Sequence, residues 1–339
     1  MEYKLITTNT EMQDLAESWN ALLDSNATQV PFLRYEYQQT WWKTLGGGEW
    51  KQADLSIVAA YQDKQLVGIA PLFFTRNQDN TPALMLIGSI EVSDYLDVIA
   101  GREILPEFID GLFDFLASDE APPWQILDWC NILENSPTLP AMENAARRMD
   151  WEYGCERLQH SPHILLPGDW DEYLARLDKK QRHEIRRKLR RMNDADVPFR
   201  VYTVQDKEAL EAESNAFIEL MAQDKEKAEF LTPPMREFMR DVIRCAFDAD
   251  CLQLAFIEID GKKAAGYLNF KYLNRTWVYN SGLSYQFNEY SPGWVLLAHL
   301  LMQANEDHID DFDFMRGNED YKYRFGAVDR YVVRAFVRR

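Results

Sequence analysis

The chain has 339 residues, 46% of them apolar and 27% charged, which excludes a wholly disordered or fibrous sequence and, at roughly 100–200 residues per domain, suggests about two domains. Fifty-five acidic against 37 basic residues leave a formal charge of −18. A balance that acidic excludes a general DNA or anionic-membrane binder, and any anionic partner needs a local basic patch.

Ten Trp, 18 Phe and 16 Tyr supply enough large apolar side chains for a core without disulfide or metal staples. Cys130, Cys155, Cys245 and Cys251 lack C-x-x-C spacing, and no H-E-x-x-H accompanies the close pair His160 and His163, so no metal site is expected. The sequence carries no G-x-S-x-G, no P-loop and no G-x-G-x-x-G, which removes support for hydrolase, nucleotide-phosphate and dinucleotide readings. Met1 to Asp14 lacks an apolar signal region, and Trp294 to Met302 is too short to span a bilayer, so a cytoplasmic location is expected.

Along the chain, one order of elements occurs twice, about 198 residues apart. Phe32-Leu33 precedes a helical stretch with Trp41-Trp42. A strand then enters a turn at Asp63-Lys64 and leaves in a second strand, within Leu55 to Phe74. A third strand over Ala83 to Ser89, a helix over Glu107 to Leu116 and a strand over Gln125 to Trp129 follow. Phe230-Leu231 opens the second copy, with a helix over Met235 to Cys245 and paired strands within Leu252 to Phe270. Their turn is Asp260-Gly261, a strong hairpin signal. A strand over Thr276 to Gly282, a helix over Trp294 to Asn305 and a strand over Asp311 to Met315 complete it. The pattern predicts an α/β (α+β) fold of two tandem domains, each a mixed, mostly antiparallel sheet flanked by helices. The halves are placed at 1–162 and 163–339, divided where S-P-H and L-P-G-D punctuate the chain.

A basic helix over 171–192 opens the second half, capped by Asp169 or Asp171. Leu174, Leu177, Gln181, Ile185, Leu189 and Met192 form its packing stripe, and Lys179, Arg182, Arg186, Arg187, Arg190 and Arg191 its outer face. That face is either solvated or a phosphate-binding surface.

Further on, Tyr290-Ser-Pro-Gly-Trp294 opens a helix, with Ser291 as the N-cap and Pro292 at the first helical position. Such a turn presents backbone N–H groups and the positive end of a helix dipole to an anion such as a pyrophosphate, and Gly293 lets it approach closely. Plain helix capping explains the same residues. In the strand at Asp311, Phe312 and Phe314 point to one face and Asp313 to the other, and Asn318 is a possible cap for the short helix that follows. Here Asp313 is a candidate catalytic carboxylate, Glu319 a candidate general base, Tyr321 a proton donor, and Lys322 or Arg316 an anion clamp. A solvated helix with Glu–Lys pairs is the other reading.

Taken together, P-F-L-R-Y-E-Y-Q-Q-T-W-W from Pro31, V-G-I-A-P-L from Val67, S-D-Y-L-D from Ser93, K-K-Q-R-H-E-I-R-R-K-L-R-R from Lys179, Y-S-P-G from Tyr290 and R-G-N-E-D-Y-K-Y-R-F-G from Arg316 carry a resemblance. From about Ala21 to Ala327 the chain resembles the tandem GNAT-fold acyltransferases of the CelD/BcsL group, associated with cellulose biosynthesis. That group is similar in turn to the Fem-type aminoacyltransferases. The resemblance implies an acyl-CoA donor (acetyl-CoA or longer) held by the second half, and a first half that is degenerate and serves the acceptor. The acyl arm would run along Val278, Asn280 and Gly282, and the pyrophosphate would sit at Ser291, Pro292, Gly293 and Trp294. It implies an acceptor near Asp94, Tyr95, Arg316, Glu319 and Lys322, with Trp41, Trp42 and Arg186 as further contacts between the halves. The reaction implied is direct attack of an amine or hydroxyl on the thioester, with no protein nucleophile. The acceptor class implied is small or related to envelope polysaccharide.

The junction E-Y-S-P-G-W has a single glycine where typical GNAT acetyltransferases have Q/R-x-x-G-x-G/A. That difference keeps two alternatives open: an aminoacyl-tRNA-dependent Fem-like transferase, and a non-catalytic accessory protein of polysaccharide synthesis.

Overall fold

The structure is a computed structural model that describes residues 1–50 and 52–339. The chain divides into two compact units, Met1–His160 with Arg330–Arg339, and Ser161–Asp329. The last ten residues thus leave the second half, where the sequence placed them. Strand Tyr331–Arg338 inserts between Ile126–Leu133 and Glu152–His160, antiparallel to both. Its alternating residues Val333, Ala335 and Val337 are buried, as is Val332 beside the register shift. Arg334 clamps Asp128 through two bonds of 2.6 and 2.8 Å, a bidentate geometry that fixes register as well as charge.

In the first unit the expected hairpin turns at Asp63-Lys64, both in left-handed backbone. Its second strand is broken, however, into Gln65–Ala70 and Leu72–Arg76, which join different sheets. Pro71 stands at the break, where a residue without an N–H cannot continue a ladder. Strand Pro82–Leu86 pairs antiparallel with Leu72–Arg76 and parallel with Ile126–Leu133, after helix Leu105–Ala117.

The second unit repeats this order in a six-stranded sheet. Leu252–Ile259 and Lys262–Tyr272 form the hairpin around Asp260-Gly261, again in left-handed backbone. Strand Arg275–Leu283 pairs antiparallel with Lys262–Tyr272. Helix Pro292–Glu306 then crosses to Asp311–Asp313, which lies parallel to Arg275–Trp277. In each unit the third strand therefore connects through a helix to a parallel neighbour, as the repeat predicts.

The crossover helix buries Val295, Leu296, Leu297, Ala298, Leu300, Leu301 and Ala304 in one core with Ala255, Ile257, Ala265, Tyr267, Val278 and Phe312 from the sheet. At about 1.5–3 kcal/mol for each large apolar side chain removed from water, this burial holds the unit together.

Two local expectations change. The basic helix is two helices, Trp170–Arg176 and Lys179–Asn193. Leu177 between them is extended, and the side chains of Asp169 and Asp178 cap the separate starts at 2.7 and 3.0 Å. Helix Asp320–Arg324 starts from Glu319 rather than Asn318, without a side-chain cap. No helix among the described residues is long and apolar enough to cross a membrane.

Candidate active site

The sheet of the second unit opens at one place. Strand Arg275–Leu283 stays paired with Lys262–Tyr272, but it pairs with Asp311–Asp313 only at Arg275, Thr276 and Trp277. The register shifts between Leu268 and Asn269, leaving Tyr279 as an extra residue. A bulge bends and twists its strand, and from Val278 onward no strand among the described residues pairs with the outer edge. The neighbouring chain also turns away. Met315 and Gly317 take left-handed backbone, and a Cβ at Gly317 would meet Glu319 Oε2 at 2.5 Å. The two parallel strands thus part into a wedge.

One side of the wedge runs into the crossover helix through a short 3-10 turn, Tyr285–Tyr290, and Ser291 in left-handed backbone. The Ser291 hydroxyl does not cap the helix; its carbonyl instead accepts from Trp294 N and Val295 N at 3.0 and 3.1 Å. Pro292 has no N–H. The Gly293 N–H makes no hydrogen bond among the described residues. A Cβ at Gly293 would meet only Leu283 Cδ1, at 3.6 Å. An open, unbonded amide at the positive end of a 15-residue helix suits an anion.

The other side carries the candidate chemistry. Lys322 is 3% exposed. Its Nζ donates to Arg316 O at 2.8 Å and Gly317 O at 3.2 Å and pairs with Glu319 Oε2 at 2.9 Å. All three ammonium hydrogens are committed, so Lys322 holds the loop instead of reaching out of it. Glu319 is more than half exposed. Asp313 is fully buried, and its Oδ1 accepts from Met315 N at 2.8 Å, which fixes the turn at the strand's end and leaves it no open side for catalysis. Tyr321 packs edge-on against Phe314 at 6.0 Å. Burial raises the pKa of the Tyr321 and Tyr267 phenols well above the ordinary value, and Glu319 adds to both. Neither hydroxyl has a hydrogen-bond partner among the described residues, so both stay protonated and available as donors.

Two residues here escaped the sequence reading. Tyr267 sits in the run A-A-G-Y-L-N-F, whose apolar character reads as core. Lys227 comes from the short helix Lys225–Phe230, whose mixed charges read as a solvated surface. Its Nζ donates to Ser281 O at 2.6 Å and Asn280 Oδ1 at 3.0 Å. Burial lowers its pKa, and the nearby Lys322 acts the same way against Asp224 and Glu319.

The second unit therefore brings together Val278, Asn280, Gly282, Ser291, Pro292, Gly293 and Trp294 on one side with Asp313, Arg316, Glu319, Tyr321 and Lys322 on the other. Gly282 has a packing reason of its own, because a Cβ would meet Met221 N at 2.6 Å. Trp294 packs against Phe325 at 4.8 Å, with Lys188 Nζ 4.0 Å above its ring, so the basic helix lies beside the start of the crossover helix. Arg186 pairs with Asp171 at 3.5 Å. Lys179, Lys180, Arg190 and Arg191 are exposed and form no ion pair among the described residues. The remaining candidates lie in the first unit. Trp41 and Tyr95 are core residues at 1% and 0% exposure, which corrects their assignment as substrate contacts. Trp41 packs on Phe73, and the Tyr95 hydroxyl accepts from Arg330 at 3.0 Å. Trp42 and Asp94 are half-buried. No group of three or more metal-ligating side chains is found among the described residues.

Residues 179–323 match the family model of the acetyltransferase (GNAT) domain. The match contains the wedge, the crossover helix and the loop of Lys322. Three solved structures share the fold. The structure of FemX superposes with a TM-score of 0.67 at 13% identity, over 99% of this chain and 97% of that one. A conserved protein of unknown function from Bacteroides thetaiotaomicron gives 0.60 at 10% identity over the whole of both chains. L-PGS from Bacillus licheniformis gives 0.57 at 11%, over 95% and 91%. At these identities the likeness is one of fold. No curated protein matches the sequence.

Proposed function

We propose that the protein is an acyl-CoA-dependent N- or O-acyltransferase whose second unit binds the donor and whose first unit serves the acceptor. The observation that carries this reading is the wedge at Val278–Gly282, continuous with the unbonded Gly293 amide at the helix start. The parted strand, which pairs with its parallel neighbour only as far as Trp277, would lie along an amide-bearing pantetheine arm, and the helix start offers a hydrogen bond to its pyrophosphate. In the transfer, the acceptor's nitrogen or oxygen forms a bond to the acyl carbon and the carbon–sulfur bond breaks. The acceptor proton passes to Glu319 or to water, and the leaving sulfur takes a proton from the Tyr321 or Tyr267 phenol, which recovers it from solvent. No protein nucleophile is needed.

The resemblance to the CelD/BcsL group, together with FemX and L-PGS as structural neighbours, favours an acceptor of the cell envelope or of polysaccharide synthesis. This part of the reading is analogy of fold.

Titration of the purified protein with acetyl-CoA tests the donor assignment. Binding that Gly293→Trp abolishes is the expected result, and a folded protein that ignores both acetyl-CoA and CoA would overturn it. A second reading, transfer from aminoacyl-tRNA, is favoured by the cations Lys179, Lys180, Arg190 and Arg191, unpaired among the described residues, on the helix whose Lys188 packs over Trp294. It predicts RNA binding that weakens steeply with salt and depends on those four residues.

A further inference from the structure

Lys227 is fixed at the open edge of the wedge by two hydrogen bonds, to Ser281 O at 2.6 Å and to Asn280 Oδ1 at 3.0 Å. Both partners belong to the stretch of strand that has already left its parallel neighbour. Asn280 is itself held, because its Oδ1 also accepts from Ser281 N at 3.0 Å. An ammonium group has three hydrogens, and the third has no partner among the described residues. Lys322, by contrast, has spent all of its hydrogens on its own loop. The electrostatic neighbours of Lys227 are Asp224 on its own helix and Glu319 and Lys322 across the wedge, so its head lies among the candidate catalytic groups.

We propose that Lys227 donates its third ammonium hydrogen to the carbonyl oxygen of the acyl group and is a catalytic residue of the second unit. The proposal rests on the reading of the wedge as the acyl-donor site and adds to it the group that receives the developing charge. As the acceptor nitrogen or oxygen bonds to the acyl carbon, the carbonyl π electrons move to oxygen. The Lys227 hydrogen bond strengthens with that charge. When the electrons return to re-form the carbonyl, the carbon–sulfur bond breaks and its electron pair leaves on sulfur. A preorganised cationic donor at this point stabilises the transition state more than the ground state. Lys227 neither gains nor loses a proton.

The test uses the full chain and acetyl-CoA labelled with carbon-13 at the acetyl carbonyl, and it needs no acceptor. Infrared difference spectra read the carbonyl stretch of the bound donor, which a hydrogen bond lowers. The stretch is expected at lower frequency in the wild type than in Lys227→Met, with CoA affinity unchanged and acetyl-CoA affinity weakened by up to about tenfold. Lys227→Gln, which still donates to Ser281 O, is expected to lose the shift as well and serves if the Met variant fails to fold. An identical stretch in wild type and a folded variant, with both binding CoA, overturns the role of Lys227 alone. Absence of CoA binding in the wild type overturns the donor site and Lys227 with it.

Discussion

Lys322→Met separates a structural from a catalytic role for the most buried cation of the site. The ammonium is 3% exposed and joins Arg316 O, Gly317 O and Glu319 at 2.8, 3.2 and 2.9 Å. Methionine keeps most of the stem's volume and leaves three acceptors without their donor. The Glu319 carboxylate is 57% exposed, so water replaces its partner at small cost. The two carbonyls lose charge-assisted bonds of about 1.5–3 kcal/mol each. Against this, the folded chain no longer desolvates a charge, which returns a few kcal/mol. The balance is a destabilisation of about 2–3 kcal/mol, which for a unit of this size lowers Tm by about 4–12 °C. Thermal and urea unfolding followed by circular dichroism measure it directly. Turnover should fall more than donor affinity, because the loosened loop carries Glu319. A Lys322→Met protein as stable as the wild type would refute the pinning role.

Gly282→Ala places a Cβ within 2.6–2.8 Å of Met221 N, Leu220 Cβ and Leu220 C. Backbone there cannot swing aside as a side chain would, so a loss of about 1–3 kcal/mol is expected in urea unfolding; a neutral substitution would mean that the helix yields. Gly293→Trp meets only Leu283 Cδ1 near its Cβ, so its unfolding should match the wild type while CoA binding is lost, and retained affinity would exclude the helix start as the phosphate site. His299 has a buried Nε2 without a partner, and burial lowers its pKa. Because the folded state holds the neutral form, its contribution to stability is complete above about pH 6.5 and is lost as pH falls through the lowered value. His299→Leu should therefore flatten the stability–pH curve on the acid side of neutrality, and an unaltered curve would assign that slope to other groups.

Much of the second unit was legible because its signals are local. Asp260-Gly261 marks the hairpin, Pro292 marks the helix start, and the apolar run from Trp294 marks the crossover. The repeat was legible because the same local signals recur in the same order. What was hidden depends on partners distant in sequence. Leu177 breaks the basic helix only because Asp178 caps a second one, and Pro71 hands a strand from one sheet to another. The partners of Tyr331–Arg338 lie roughly 170 to 210 residues earlier in the chain, at Glu152–His160 and Ile126–Leu133. The candidate site divides in the same way. The residues around Gly293 and Glu319 sit in punctuated segments that any reading stops at. Trp41 and Tyr95 drew attention as aromatic and polar residues in short motifs, but burial gives them to the core. Lys227 lies in an ordinary charged helix, and only the fold carries its ammonium to Ser281.

Hydrogen exchange of the backbone amides, with and without saturating CoA, tests the donor site most directly. The account predicts slowed exchange in two segments, 278–283 along the parted strand and 291–296 at the start of the crossover helix. Binding of CoA with protection elsewhere in the chain, and none in these two segments, would contradict it.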